Sequence, residues 1–391
     1  MKNFNFKKIF KEKNIFYFIC ITYLMYMLGF YFFSEYIPLS IDFSQKYILG
    51  ADSSRYINGA NKVIAFELPQ GKAKSYLGYV IFIAFFQYFK LDLASVVLFQ
   101  ILMTFLSSLC IHQISKKFTS PRVAILVLSF YLFYLPIQMW NFYILTETIF
   151  ICTTIFILYF FIFFKKKFLP LLIFLIIFYI SLRPHGFILI PSLVLSLLIW
   201  LYLNEKLRLF YVFIVLCIIS IFPILSLLNF YLENEKIVNS IINKGVIWGY
   251  ENENNNLEIN TNSKIKNDFL SLLILLKSNF SSLSIAFFKK IYFFYFRIRP
   301  YYSDFHNFYI IVFNLLYFPA AFIGFFKFIN KKKFGIILMY SLTVFFTLAV
   351  GLTWADWDGR FSLYILPMIF IFSGVGFIHL FSLKIFKIKK N

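Results

Sequence analysis

The sequence predicts an all-α polytopic membrane protein of about ten transmembrane helices, with further helices lying in the interface. Three observations carry this. Sixty-one per cent of the 391 residues are hydrophobic and the mean hydropathy is +0.79, more apolar surface than a water-soluble domain can bury. The apolar residues fall into long runs whose middles exclude charge. The charge itself is segregated: the two termini and the turns around Lys116, Lys165, Lys206 and Lys331 hold 21 of the 38 Lys and Arg, but only Glu12 and Glu205 of the 17 acids. The net charge of +21 therefore reports a positive-inside bias, not nucleic acid.

The first run, 15–37, follows a basic terminus, is too long for a signal peptide and lacks a cleavage site, so it reads as an uncleaved span starting in the cytoplasm. The first outer loop, 38–90, begins polar. Its run 76–89 is short for a crossing of roughly 20 residues and reads as an interfacial helix. Runs 91–114, 123–140, 148–164, 168–182, 187–203 and 209–230 then alternate across the membrane, each inner turn basic. Residues 231–307 form a long outer segment: a polar loop, then 269–296, which is apolar but carries Lys277, Lys289 and Lys290, the pattern of helices on the outer leaflet. Three more spans follow, 308–326, 334–352 and 362–381. The expected organisation is a seven-span module, 1–230, and an outer segment plus three spans, 231–391. Both termini then lie in the cytoplasm.

Cys20, Cys110, Cys152 and Cys217 all sit in apolar runs without metal spacing, so neither zinc nor a disulfide is supported. Polar residues within the runs are few, chiefly Gln100, Gln138, Asn229 and Asn314. Ion-coupled carriers need ionisable groups at mid-membrane, and these are absent.

Charge gathers instead at the outer turns. In Gly50-Ala-Asp-Ser-Ser-Arg-Tyr-Ile-Asn-Gly-Ala60, a helix opening at Asp52 would set Arg55 and Tyr56 on the same face. Glu147 opens the fourth span, Arg183 and His185 follow the fifth, and Asp356, Asp358 and Arg360 precede the last. Each has a plain alternative. Asp52 can be a helix N-cap with Ser53 and Ser54 as polar filler, Glu147 can follow a Thr146 cap, and Arg183 and Arg360 can anchor helix ends. Together they suit a site holding an acidic base beside cations that bind phosphate, half in lipid and half in water.

The order of these pieces resembles the GT-C superfamily of polyprenyl-phosphate-sugar glycosyltransferases, which includes the aminoarabinose and protein O-mannosyl transferases. It rests on Asp52-Ser-Ser-Arg-Tyr56 in the first outer loop and the interfacial helix from Ser75-Tyr-Leu-Gly-Tyr79. Thr146-Glu147-Thr-Ile-Phe150, the turn Leu182-Arg-Pro-His-Gly186, and Arg360 ahead of Pro367 complete it. The resemblance implies transfer of a sugar from a polyprenyl-phosphate donor to a glycan, lipid or protein acceptor, with inversion, at the outer face of the cytoplasmic membrane. Asp52 would be the base. Arg183 and Arg360, with His185 beside them, would stabilise the leaving phosphate, and Glu147 would orient the acceptor or a cation. Arg55, Tyr56 and Asp356 would complete the substrate site. The family often carries a second acid beside the first-loop Asp. Ala51 and Ser53 stand there instead, so no cofactor is assigned and a divalent cation stays open. A polymerase or ligase using undecaprenyl-diphosphate glycans is the main alternative, and a lipid-glycan flippase the other.

Overall fold

A computed structural model describes residues 12–33, 46–219, 269–299, 302–328, 332–353 and 360–388. Every regular element among them is helical, as a chain of long apolar runs requires when water is not there to satisfy its backbone. Asp42, Asp356, Asp358, the polar loop at 231–268 and the expected boundary at 230 lie outside the described residues.

The helices are α1 (Glu12–Phe33), α2 (Ser53–Ile64), α3 (Leu77–Tyr88), α4 (Leu93–Phe118), α5 (Pro121–Phe133), α6 (Leu135–Gln138), α7 (Glu147–Ile162), α8 (Leu169–Leu182) and α9 (Leu189–Leu203). After α10, described over Leu207–Ile219, come α11 (Phe269–Ser278), α12 (Phe280–Phe296), α13 (Asp304–Phe328), α14 (Phe334–Thr353) and α15 (Leu366–Ile388). Among the described residues five helices are long and apolar enough to cross a membrane: Glu12–Phe33, Leu93–Phe118, Pro184–Leu203, Asp304–Phe328 and Phe334–Leu352. A bent pair, Pro121–Phe133 with Leu135–Phe142, makes a sixth. Glu147–Ile162, Leu207–Ile219 and Leu366–Leu380 are apolar but shorter. The protein is therefore a multi-pass membrane protein.

One expected element is corrected. The run 123–140 is not a single straight helix but is bent by 53° after Phe133. Pro136 is the reason. It has no N–H to continue α5, and its ring would strike the carbonyl of Leu132 one turn back. The chain restarts with Pro136 in the first turn of α6, where a missing N–H costs nothing.

The chain forms two compact units. The first comprises Met1–Leu189, Leu316–Ile336 and Leu366–Asn391. In it α4 packs against α5 and α7, α15 against α5, and α7 pairs with α8, which also meets α3. Two glycines let α13 and α15 touch backbone to backbone. A Cβ on Gly324 would strike the Phe372 carbonyl, and one on Gly376 the Ala320 carbonyl, the close approach that small residues permit between membrane helices. One end of this unit is basic. Lys117 Nζ donates to the Ile162 carbonyl at 2.8 Å, closing the C-terminal end of α7, while Arg122 pairs with Glu12 at 3.5 Å. Lys333 lies over the Phe118 ring, 5.8 Å from its centre.

The second unit comprises Ile190–Leu315 and Ile337–Ile365. Ser196 donates to Ser341 Oγ at 3.0 Å, and Tyr295 and Thr347 share a hydroxyl contact of 2.7 Å. Asn307 clamps Arg299, accepting its backbone N–H at 3.1 Å and donating to its carbonyl at 2.8 Å. The apolar stretch 269–296 forms two helices that break at Asn279. Lys277 and Lys289 are exposed, but Lys290 is buried and burial draws its ammonium down to about 8.

Candidate functional site

The site is built where α7 begins and α8 ends. The two helices are antiparallel neighbours, of 16 and 14 residues, so the first residue of one returns beside the last of the other. Glu147 opens α7, and Arg183 follows the last residue of α8. Their charges match the partial charges at those helix ends, positive for an N-terminus and negative for a C-terminus. Arg183 Nη1 meets Glu147 Oε1 at 3.1 Å, with the side chains only 6% and 2% exposed. Thr146 occupies the cap position of α7 without a side-chain capping bond, so Glu147 is set by its arginine and not by a threonine cap. Phe150 supports the pair from one turn along: it stacks on Tyr179 with ring centres 4.2 Å apart, and the guanidinium lies 5.8 Å from its own centre. Pro184 then turns the chain, and His185 is buried in the turn Pro184–Ile188.

The first loop is bound to this place by backbone. The Ile48 N–H donates to the Phe142 carbonyl at 2.8 Å, and the Ile144 N–H returns to the Ile48 carbonyl at 3.1 Å, a single parallel bridge between Ile48 and Tyr143. Ser53 closes the connection. Its hydroxyl donates to the Ile144 carbonyl at 2.9 Å and accepts the Gly50 N–H at 2.9 Å. From here the chain enters α2. Asp52 stands at the cap position, but its side chain makes no capping bond. Its carboxylate instead meets Arg55 Nη1 at 3.1 Å, the two side chains 30% and 33% exposed. The i+3 spacing therefore gives a pair open to solvent.

Tyr56 follows Arg55 on α2 and turns inward. Its side chain is 2% exposed, with ring centres 5.2 Å from both Tyr76 and Tyr79. Burial raises its hydroxyl pKa well above the ordinary value. Tyr76, Glu147 and Asp52 raise it further and Arg183 opposes them. Tyr79 is likewise raised, by burial and then by Glu147. The Tyr56 hydroxyl thus feels charges of both pairs. α3 meets the end of α8 through Gly78, where a Cβ would lie 3.1 Å from the Leu182 amide nitrogen. A larger residue there would push the start of α3 away from Arg183.

The first unit thus brings together Asp52, Arg55, Tyr56, Glu147 and Arg183, with His185 two residues beyond. Arg360 belongs to the second unit, at the head of the turn Phe361–Tyr364, and Asp356 lies outside the described residues. The described residues hold no group of three or more His, Cys, Asp or Glu able to hold a metal ion. Sequence reasoning missed Ser53, whose role as a tie is invisible in a Ser-Ser pair, and Tyr79, which reads as one interfacial aromatic among many. Chemically, the arrangement offers an accessible carboxylate beside a fixed, buried guanidinium. No protein-family model, curated protein or solved structure matches this chain.

Proposed function

We propose that this protein is a membrane glycosyltransferase of the GT-C kind, moving a sugar from a polyprenyl-phosphate donor to an acceptor hydroxyl on a glycan, lipid or protein. One observation carries the reading: a solvent-reachable Asp52 carboxylate is tied by backbone to the turn bearing a buried Glu147–Arg183 pair. A lipid phosphate must be bound by a cation where lipid meets water, and the acceptor proton must leave to a base that water can reach.

In this mechanism Asp52 accepts the proton of the acceptor hydroxyl as its oxygen attacks the anomeric carbon. The bond from that carbon to the phosphate oxygen breaks, and the electron pair leaves with the lipid phosphate. Arg183 stabilises the departing charge. Glu147 engages Nη1 and so fixes the guanidinium plane. Tyr56 stays a neutral phenol, and Arg55 keeps Asp52 oriented. His185 completes the part of the substrate site that the first unit carries.

The topology in this reading has ten spans, with α3 and the 269–296 helices lying in the interface. The lysines and arginines at 116, 117, 122 and 165–167 occupy the end of the first unit away from Glu147 and Arg183. The positive-inside bias then assigns the site to the outer face of the cytoplasmic membrane, with both termini inside.

The test is a donor comparison in vesicles holding the purified protein. Turnover of a labelled polyprenyl-monophosphate sugar, with the label appearing on acceptor, is the expected result. Consumption of a polyprenyl-diphosphate glycan alone would overturn it in favour of a polymerase or ligase. Lipid movement across the bilayer without transfer would make the protein a flippase.

A further inference from the structure

A span that stops being helical leaves backbone groups that a bilayer cannot satisfy. After the bend at Phe133 the chain makes only α6 and the turn Met139–Phe142 before α7. The carbonyls of residues 141–144 therefore need partners from elsewhere, and all four have them. Phe142 and Ile144 are taken by the first loop, through the Ile48 N–H and the Ser53 hydroxyl. Asn141 and Tyr143 are taken by one side chain, Gln100, whose Nε2 donates to them at 2.8 and 3.0 Å. The two sets of partners alternate along the chain.

Gln100 is fully buried in α4, and its Oε1 accepts the Tyr79 hydroxyl at 3.3 Å. One amide thus joins α3, α4 and the segment leading to Glu147. Behind it the network continues. Asn141 accepts from Thr104 at 2.7 Å and donates to Gln138 Oε1 at 3.0 Å. That oxygen also accepts the Tyr23 hydroxyl at 2.8 Å, and Gln138 Nε2 donates to the Tyr131 carbonyl at 2.8 Å. A buried amide with every arm engaged is costly to replace, because the Asn141 carbonyl is then orphaned in a buried place and the part-buried Tyr143 carbonyl loses its donor.

We propose that Gln100 is the positioning residue of the candidate site, holding segment 141–146 so that its Phe142 and Ile144 carbonyls bind the first loop and set Asp52 against Glu147 and Arg183. Without its two donors, the 141 and 143 carbonyls find partners only by rotating the segment, and that rotation releases Ile48 and Ser53. The consequence for catalysis rests on the glycosyl-transfer reading. The geometric claim does not.

The experiment reads the geometry directly, with full-length protein whose four native cysteines are replaced by alanine. A Cβ on Gly50 would lie 2.9 Å from Leu145 Cδ1, so Gly50→Cys with Leu145→Cys should cross-link rapidly under mild oxidation. Adding Gln100→Met should slow that cross-linking at least about tenfold while the level in the membrane is kept. Tyr79→Phe, which removes only the 3.3 Å contact, should leave the cross-linking rate unchanged. Without the engineered cysteines, Gln100→Met should lower kcat by a similar factor with KM little changed. If Gln100→Met fails to fold, Gln100→Asn replaces it: the amide remains, but one methylene too short to reach both carbonyls. Cross-linking at the parent rate in a folded Gln100 variant would overturn the proposal. Slowed cross-linking with unchanged kcat would overturn its catalytic half. Slowed cross-linking in a parent that transfers no sugar would sustain the positioning claim and sink the glycosyltransferase reading instead.

Discussion

The first unit contains two ion pairs of the same chemistry, each an arginine Nη1 at 3.1 Å from a carboxylate oxygen. Asp52 and Arg55 are about one-third exposed, on one short helix, three residues apart. Glu147 and Arg183 are almost wholly buried, at the ends of two antiparallel helices, 36 residues apart in sequence. Equal distance does not mean equal consequence. The open pair keeps much of its hydration, so breaking it costs little. The buried pair gave up its hydration on folding, so removing either member leaves the other charge buried. The contrast separates an open pair from a fixed one within the first unit.

The largest effect should come from unpairing the buried pair. Glu147→Ala leaves the Arg183 guanidinium buried beside Phe150 without its carboxylate, and should destabilise the protein by about 3–5 kcal/mol. The measurement is the amount of monodisperse protein recovered and its thermal midpoint in detergent. Recovery equal to the parent's would mean that the pair is not the fixed element described here. At the small end, Arg55→Ala should change stability by no more than about 1 kcal/mol, read as a shift of a few degrees or less in the same assay. A collapse as large as that of Glu147→Ala would erase the distinction between the two pairs.

Much of this was legible beforehand. The apolar runs and basic turns locate α4, α7, α8 and α9 to within a few residues, because an apolar helix among membrane helices excludes charge along its length and tolerates it at its ends. The Asp52–Arg55 pair is also legible, since i+3 spacing on a helix is local. The bend after Phe133 was not read, although Pro136 signals it, because hydropathy alone runs smoothly through it. The same smoothness hid the purpose of Gln100, which reads as an exception in an apolar run until the broken span beside it supplies two carbonyls. The Glu147–Arg183 pair was not legible as a pair. Sequence reasoning gave its members separate tasks, and only the antiparallel return of α8 along α7 brings them together. Ser53 passed for filler because a hydroxyl's partner, here the carbonyl of Ile144, lies 91 residues away.

The central claim is that the open carboxylate takes the proton while the buried Glu147 holds Arg183 fixed to meet the phosphate. Asp52→Asn tests it most directly, because the change removes the base while keeping shape and leaving the Glu147–Arg183 pair untouched. The measurement is the rate of sugar transfer from a polyprenyl-monophosphate donor per amount of folded protein in vesicles. A loss of at least about 100-fold, with thermal midpoint and donor binding retained, is the predicted result. Transfer within a few-fold of the parent would contradict it, and would leave Asp52 as no more than the residue that precedes a helix.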